Sequence, residues 1–350
     1  MTYAPQGKPA PVVAPGDFVF AAAHLDHGHI YGMCGGLLEA GGALRWVYDP
    51  DAAKVEAFRE RYPEVRVARS LDEILADPEV QLVAAAAVPN ERGPLGLRVM
   101  AAAKDYFTDK GPFTTLKQLA DARRTVTETS QKYLVYYGER LHSECAVFAG
   151  GLIQEGAIGR VIQVLGLGPH RLNAPSRPAW FFEKEKYGGI LADIGSHQIE
   201  QFLTYAGATD AAVASARVAN FNNPATPELE DFGETNLVAD TGASGYFRVD
   251  WFTPDGLATW GDGRTFILGT DGYLELRKYT DLGRSGGGDQ LYLADGRGEQ
   301  HLELAGRVGF PFFGQLILDC LNRTEHAMTQ AHAFKAAELC LKAQALADNA

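Results

Sequence analysis

Cysteine is scarce in this 350-residue chain: Cys34, Cys145, Cys320 and Cys340 lie far apart, with no C-x-x-C pair. That excludes a zinc ribbon or a dithiol redox motif and fits free thiols in a reducing compartment. No apolar run reaches the roughly 18 residues that a membrane-spanning helix needs. Met1–Phe18 lacks the basic-then-apolar order of a secretory signal, so the expected location is cytoplasmic. Positive charge is also in deficit, with 32 Lys+Arg against 44 Asp+Glu and a net charge of −12. A broad nucleic-acid or anionic-membrane surface needs the opposite sign and is not expected. Heptads, internal repeats and low-complexity tracts are absent, and Ser285–Gly288 reads only as a flexible turn.

A hydrophobic share of 46% and a charged share of 22% describe an ordinary globular chain, long enough for about two domains. Over the first 140 or so residues, short apolar runs alternate with helical patterns. Phe18–Ala23, Leu44–Tyr48, Val65–Ala68, Gln81–Val88, Tyr106–Thr108 and Tyr133–Tyr137 read as strands. Helices are expected near Tyr31–Ala40, after Asp51, at Leu71–Leu75, at about Gly93–Ala103 and from Thr115 to about Gln131. This alternation predicts a doubly wound parallel sheet of Rossmann type. Beyond it, strands follow one another at Val161–Gly166, Ala212–Ala219, Thr235–Ala239, Ser244–Phe252, Phe266–Gly269, Tyr273–Arg277 and Gln290–Ala294. Helices are expected at Ala146–Glu155 and Ile190–Tyr205, then at about Phe312–Arg323 and Ala331–Asp348. The fold class is therefore α/β, with residues 1–138 as the Rossmann domain. Residues 139–350 form an α+β domain with an open, mostly antiparallel sheet, and the helices of about 312–348 are expected to return to the first domain.

The candidate site residues follow from this layout. The turn after the first strand runs Ala23-His24-Leu25-Asp26-His27-Gly28-His29-Ile30, keeping only part of the glycine pattern that lets a pyrophosphate approach a helix N-terminus. Ala23, His27, Gly28, His29 and Ile30 are the expected contacts. His24, His27 and His29 do not share one helix face, and no metal is expected. Asp49 ends the second strand about 20 residues on, where a carboxylate binds the adenosine ribose and repels a 2′-phosphate, favouring NAD over NADP. Pro89, Asn90 and Lys110 lie at the carboxyl ends of later strands, where ligands of such sheets sit. In Gly188-Gly189-Ile190-Leu191-Ala192-Asp193-Ile194-Gly195-Ser196-His197, helical spacing puts Asp193, His197 and Glu200 on one face. An imidazole beside a carboxylate is an acid–base pair tunable near neutrality. The loop containing His170, Arg171, Asn173, Arg177 and Trp180 is rich in polar forks and aromatic rings suited to a sugar.

Asp109-Lys110-Gly111-Pro112, Val88-Pro89-Asn90, the Gly156-Ala157-Ile158-Gly159 turn and Asp193-x-Gly195-x-His197 together resemble the glucose–fructose oxidoreductase/inositol dehydrogenase (Gfo/Idh/MocA) family over nearly the whole chain. The departures are the glycine-poor turn and one residue inserted before Pro112. The resemblance implies a NAD(H)-dependent dehydrogenase or reductase acting on a sugar, inositol or related polyol. It implies Lys110, Asp193 and His197 as the catalytic set: His197 as acid/base, Lys110 polarising the reacting oxygen, and Asp193 orienting the imidazole or a neighbouring hydroxyl. Substrate is then expected between the domains, against Lys110, Asp193, His197 and the His170–Trp180 loop. Two other readings stay open: an NAD-assisted sugar hydrolase or lyase with no net redox change, and a non-catalytic nucleotide- or sugar-binding sensor. Self-association through the open sheet, as a homodimer or homotetramer, is also expected.

Overall fold

The structure is a computed structural model that describes residues 3–5, 7–284 and 286–349. Met1 and Ser285, on which two of the expectations above partly rest, lie outside the described residues. The chain divides into two compact units. One comprises Pro9–Tyr136 with Phe310–Phe334; the other comprises Tyr137–Gly309 with the described residues before Pro9 and after Phe334.

In the first unit the elements run β1 (Val19–Ala23), α1 (His29–Glu39), β2 (Ala43–Tyr48), α2 (Ala52–Arg61), β3 (Arg66–Val67), α3 (Leu71–Ala76), β4 (Leu82–Ala85), α4 (Pro89–Ala101), β5 (Asp105–Asp109), α5 (Leu116–Thr129) and β6 (Tyr133–Tyr136). The sheet order is β3-β2-β1-β4-β5-β6, with every pair parallel. β1, β4, β5 and β6 are buried at every position, as strands covered on both faces must be. Side-chain caps start three helices where the sequence places them: Asp51 accepts from Ala53, Ser70 from Glu73 and Thr115 from Gln118.

One boundary moves. α4 starts at Pro89 rather than near Gly93, because proline lacks the N–H that a first helical position cannot use anyway. Pro89 and Asn90 are thus first-turn residues. Inside α4, a Cβ on Gly96 would lie 2.4 Å from the Tyr133 ring and 2.7 Å from that of Tyr106. Tyr133 is also anchored by its hydroxyl, which donates to the Arg92 and Pro112 carbonyls. Gly96→Ala is expected to destabilise by about 1–3 kcal/mol; the overlap with fixed rings outweighs the gain in helix propensity of about 1 kcal/mol. A urea midpoint that does not fall would contradict this packing.

The second unit begins with α6 (Gly138–Leu141) and α7 (Glu144–Gln154), then β7 (Val161–Pro169), α8 (Lys184–Tyr187), α9 (Ile190–Asp193) and α10 (Gly195–Ala206). β8 (Ala211–Ala219), β9 (Phe232–Ala239), β10 (Ser244–Asp250), β11 (Arg264–Gly269), β12 (Gly272–Arg277), a small β13 (Thr280–Asp281)–β14 (Gly286–Gly287) ribbon, β15 (Gln290–Asp295) and β16 (Gly298–Glu303) follow. The main sheet has the order β16-β15-β12-β11-β7-β10-β9-β8. It is antiparallel except where β7 meets β10. β16 is missing from the sequence reading because its polar composition, suited to an edge strand, hides the strand pattern. α11 (Pro311–Asn322) belongs to the first unit; α12 (Gln330–Asp348) contributes its start to the first and its remainder to the second.

The single helix expected over Ile190–Tyr205 is two helices, α9 and α10, meeting at Ile194. The Ser196 hydroxyl donates to the Asp193 carbonyl at 2.6 Å, satisfying a helix-end acceptor at the break. α10 lies close on β7 because Gly166 and Gly168 leave room for Gln198. A Cβ on Gly166 would come within 2.3 Å of the Gln198 Oε1.

Candidate active site

Each unit carries a cluster of chemically active side chains. In the first, the chain leaves β1 through His24, which sits at φ 53°, a left-handed conformation normally given to glycine. The missing glycine is therefore replaced by a strained histidine, stabilised from both sides: its N–H donates to the Tyr48 carbonyl and its carbonyl accepts from Ala86. Asp49 is buried at the end of β2, where it accepts the Leu25 N–H at 2.6 Å and the Asp51 N–H at 2.8 Å. It thereby ties the β1 turn to the start of the next helix.

α1 then begins at His29, with Gly28 before it, no side-chain cap and no acidic residue in its first turn. Its N-terminal end can receive an anion. Across the turn, Asp109 at the end of β5 is fully buried. It accepts from Arg92 Nη2 at 3.2 Å and from the Lys110 backbone N–H at 2.7 Å. His27 Nδ1 lies 3.1 Å and His29 Nδ1 2.7 Å from its two oxygens. Burial opposes ionisation of Asp109, but His29 and Arg92 outweigh it and hold the carboxyl well below the usual carboxylate range. Burial, followed by the charge of His29, pushes His27 down to about 4 despite the pull of Asp109. The residue inserted before Pro112 is absorbed by Gly111 at φ 66°. Arg92 donates to the carbonyls of Lys110 and Gly111, and Lys110 itself is buried.

A dinucleotide fits this edge. The switch in strand order falls between β1 and β4. Asn90 Oδ1, in the first turn of α4, is buried with no hydrogen-bond partner among the described residues, as a group meant for a ligand would be. Ala23, His27, Gly28, His29, Ile30, Asp49, Pro89, Asn90 and Lys110 are the residues that would hold it.

In the second unit, His197 is 2% exposed on α10, which puts it in a dry setting rather than on a solvated polar face. Glu200, one turn further on, is committed to Arg140, whose Nε lies 2.9 Å from both carboxylate oxygens. Glu139, a residue the sequence reading missed, is a further carboxylate in the surroundings of His197. Glu139 Oε2 accepts from Lys278 Nζ at 2.7 Å and Gln198 Nε2 at 2.8 Å, while its Oε1 lies 3.9 Å from His170 Nε2. Burial pushes Glu139 up, but Lys278, then His197 and His170, outweigh it and hold the carboxyl below the usual range. Lys278, also missed, is completely enclosed and donates to Gln201 Oε1 at 3.1 Å.

The His170–Trp180 loop is more internally braced than its sequence suggests. Arg171 donates to the Pro254, Leu257 and Thr259 carbonyls. Arg177 donates to the Leu172 and Arg171 carbonyls and lies over the Phe181 and Trp251 rings. The His170 ring packs against Trp260 and Trp251. Asn173 is exposed, Trp180 and Asp193 are half-buried, and Asp193 is near enough to Arg177 to act on its charge.

A separate open cavity of about 420 Å³ lies on the sheet face away from α10, lined by Leu167, Arg248, Asp250, Arg264 and Phe252 among others. The same face exposes Val238, Leu268 and Tyr273 at 46–50%.

Comparison with known proteins places both units. Residues 25–137 match the profile of an oxidoreductase family with an NAD-binding Rossmann fold, and residues 149–275 match a GFO/IDH/MocA C-terminal domain. A crystal structure of a candidate oxidoreductase from Erwinia carotovora atroseptica SCRI1043 is 50% identical, covering 95% of this chain and 99% of that one at a TM-score of 0.92. Levoglucosan dehydrogenase, solved with NADH and levoglucosan, shares the fold at 15% identity and a TM-score of 0.79, covering 95% and 97% of the two chains. Among curated relatives, D-xylose dehydrogenase of Paenarthrobacter nicotinovorans is 25% identical over 150 residues, 41% of this chain and 38% of its own. An uncharacterized oxidoreductase of Schizosaccharomyces pombe, C115.03, is 29% identical over 150 residues, 43% and 40% of the two. The match thus spans about two-fifths of the length of these curated relatives. No described helix is long and apolar enough to cross a membrane.

Proposed function

The chain belongs to the GFO/IDH/MocA family of oxidoreductases with an NAD-binding Rossmann fold, and from that premise we propose that it is a NAD(H)-dependent dehydrogenase or reductase acting on a hydroxyl or keto carbon of a sugar, inositol or related polyol. The observation that carries this reading is His197, an enclosed imidazole with the carboxylate of Glu139 in its surroundings. That environment suits a group that must gain and lose a proton during turnover.

When bound, NAD supplies the hydride acceptor or donor. His197 takes the proton of the reacting hydroxyl in oxidation and returns it in reduction. Lys110 polarises that oxygen, an effect strengthened by its burial. Asp193 orients the imidazole or binds an adjacent hydroxyl. Glu139, itself fixed by Lys278, is a positioning residue that favours the charged form of His197. His170, Asn173 and Trp180 are the proposed substrate contacts; Arg171 and Arg177 act by holding their loop in shape. Asp49 favours NAD over NADP by placing a negative charge where a 2′-phosphate would lie. The solvent-facing apolar residues of the sheet support a homodimer or homotetramer, and a cytoplasmic location accords with the four unpaired, buried cysteines. A monomeric mass in light scattering at micromolar protein would overturn the oligomer.

The test is a panel of sugars, inositols and keto-sugars with NAD and NADP, following nicotinamide absorbance and product mass together. Net absorbance change with one polyol class and NAD is the expected result. Product without net absorbance change would instead identify the NAD-assisted hydrolase or lyase. Failure to bind NAD(H) at all would leave a sensor and overturn the enzyme.

A further inference from the structure

We infer that the turn between β1 and α1 is a divalent-cation site of the zinc class, with His27 Nδ1, His29 Nδ1 and a carboxylate oxygen of Asp109 as ligands. The three ligand atoms lie within 4.8 Å of one another. His27 Nδ1 lies 3.1 Å from Asp109 Oδ2 and His29 Nδ1 2.7 Å from Oδ1, so the two imidazoles flank one carboxylate. Zinc bonds of about 2.0–2.1 Å in tetrahedral geometry set ligand atoms roughly 3.3 Å apart, so small side-chain shifts close the set around one ion. His27 and His29 do not share a helix face, yet they converge because they flank Gly28, His27 ahead of α1 and His29 at its first residue.

The hydrogen bonding of the turn favours a cation over protons alone. His27 Nδ1 lies 3.2 Å from the His29 backbone nitrogen, in donating geometry, and 3.1 Å from Asp109 Oδ2, an acceptor. One ring nitrogen carries either a proton or a lone pair, so one of these contacts is unfavourable in each neutral tautomer. A cation takes up the Nδ1 lone pair and a carboxylate lone pair together. It also releases the His29 N–H, at the start of α1, for another acceptor.

Arg92 donates to Asp109 Oδ2 and the Lys110 backbone N–H to Oδ1, each leaving a lone pair, and Oδ1, beside His29, is the ligating oxygen. A hydrogen-bonded carboxylate of this kind is a common support for a metal ligand. Three protein ligands leave a fourth position open. With Arg92, Lys110 and the helix N-terminus close by, that position is suited to an anionic oxygen, either hydroxide or a phosphate.

The test uses the full chain without an affinity tag, titrated with cobalt(II) in metal-free buffer and then with zinc chloride. One equivalent of cobalt should bind with the visible absorption of a four- or five-coordinate ion and be displaced by zinc. His27→Ala and His29→Ala, with circular dichroism unchanged, should each weaken zinc binding by more than the about 10–100-fold typical of losing a supporting partner. His326→Ala, at an exposed surface histidine, should leave it unchanged. Absence of stoichiometric binding overturns the site, as does binding that survives both turn variants. Because the readout is metal binding, it stands apart from the outcome of the substrate panel.

Discussion

His197→Ala is expected to lower kcat by about 10²–10⁴, the range that a positioned acid or base supplies, while the Kd for NADH stays within a factor of about two. The two effects separate because His197 sits on α10 in the second unit and the candidate nucleotide residues in the first. His197→Asn keeps much of the volume but cannot exchange a proton near neutrality, and should be equally slow. Stopped-flow measurement of the chemical step, beside nicotinamide fluorescence for binding, checks both variants. Unchanged turnover in either would end the acid–base assignment. A parallel loss of NADH binding would mean that the substitution damages the fold instead.

Lys278→Met should be strongly destabilising. The ammonium is enclosed and its principal partner is the buried carboxylate of Glu139, 2.7 Å away. Removing one member of a buried pair leaves an uncompensated charge, which costs about 3–5 kcal/mol. The paired variant Glu139→Gln with Lys278→Met should recover much of that loss, since no charge is then stranded. Equal stability of single and double variants in urea would show that the pair is not coupled.

The same contact sets an acid dependence. The folded carboxyl of Glu139 titrates below its unfolded value of about 4.3. Its contribution is therefore complete above that pH and is lost as pH falls toward the folded value. The double variant should lose less stability between about pH 5 and pH 3 than the natural chain does; a parallel decline would remove Glu139 from the account.

Local patterns in the chain were enough for the parallel sheet. β1, β4 and β6 are unbroken apolar runs, and Asp51 and Thr115 cap their helices through side chains only two or three positions away. The expectation that pairs Asp193 with His197 is local in the same way, spanning four residues, although α9 and α10 meet between them at Ile194. The charged partners of the histidines are not local. Gln198 reaches Glu139 across 59 positions, and Lys278 reaches it across 139. His29 meets Asp109 across 80. No local period records such meetings, and single glutamates and lysines carry no signal that separates a buried pair from the surface charges that are far more common.

Arg171 and Arg177 show the converse. Their residue types suit a ligand, yet the backbone carbonyls they hold become visible only when the loop is folded. The scarcity of cysteine and of positive charge keeps its meaning: composition alone is enough to argue against a dithiol site and a broad basic surface. Whether a polar side chain is a surface group, a brace or a reactive centre depended on tertiary contacts, because burial and the nearest charge set its protonation, and neither is a property of the linear chain.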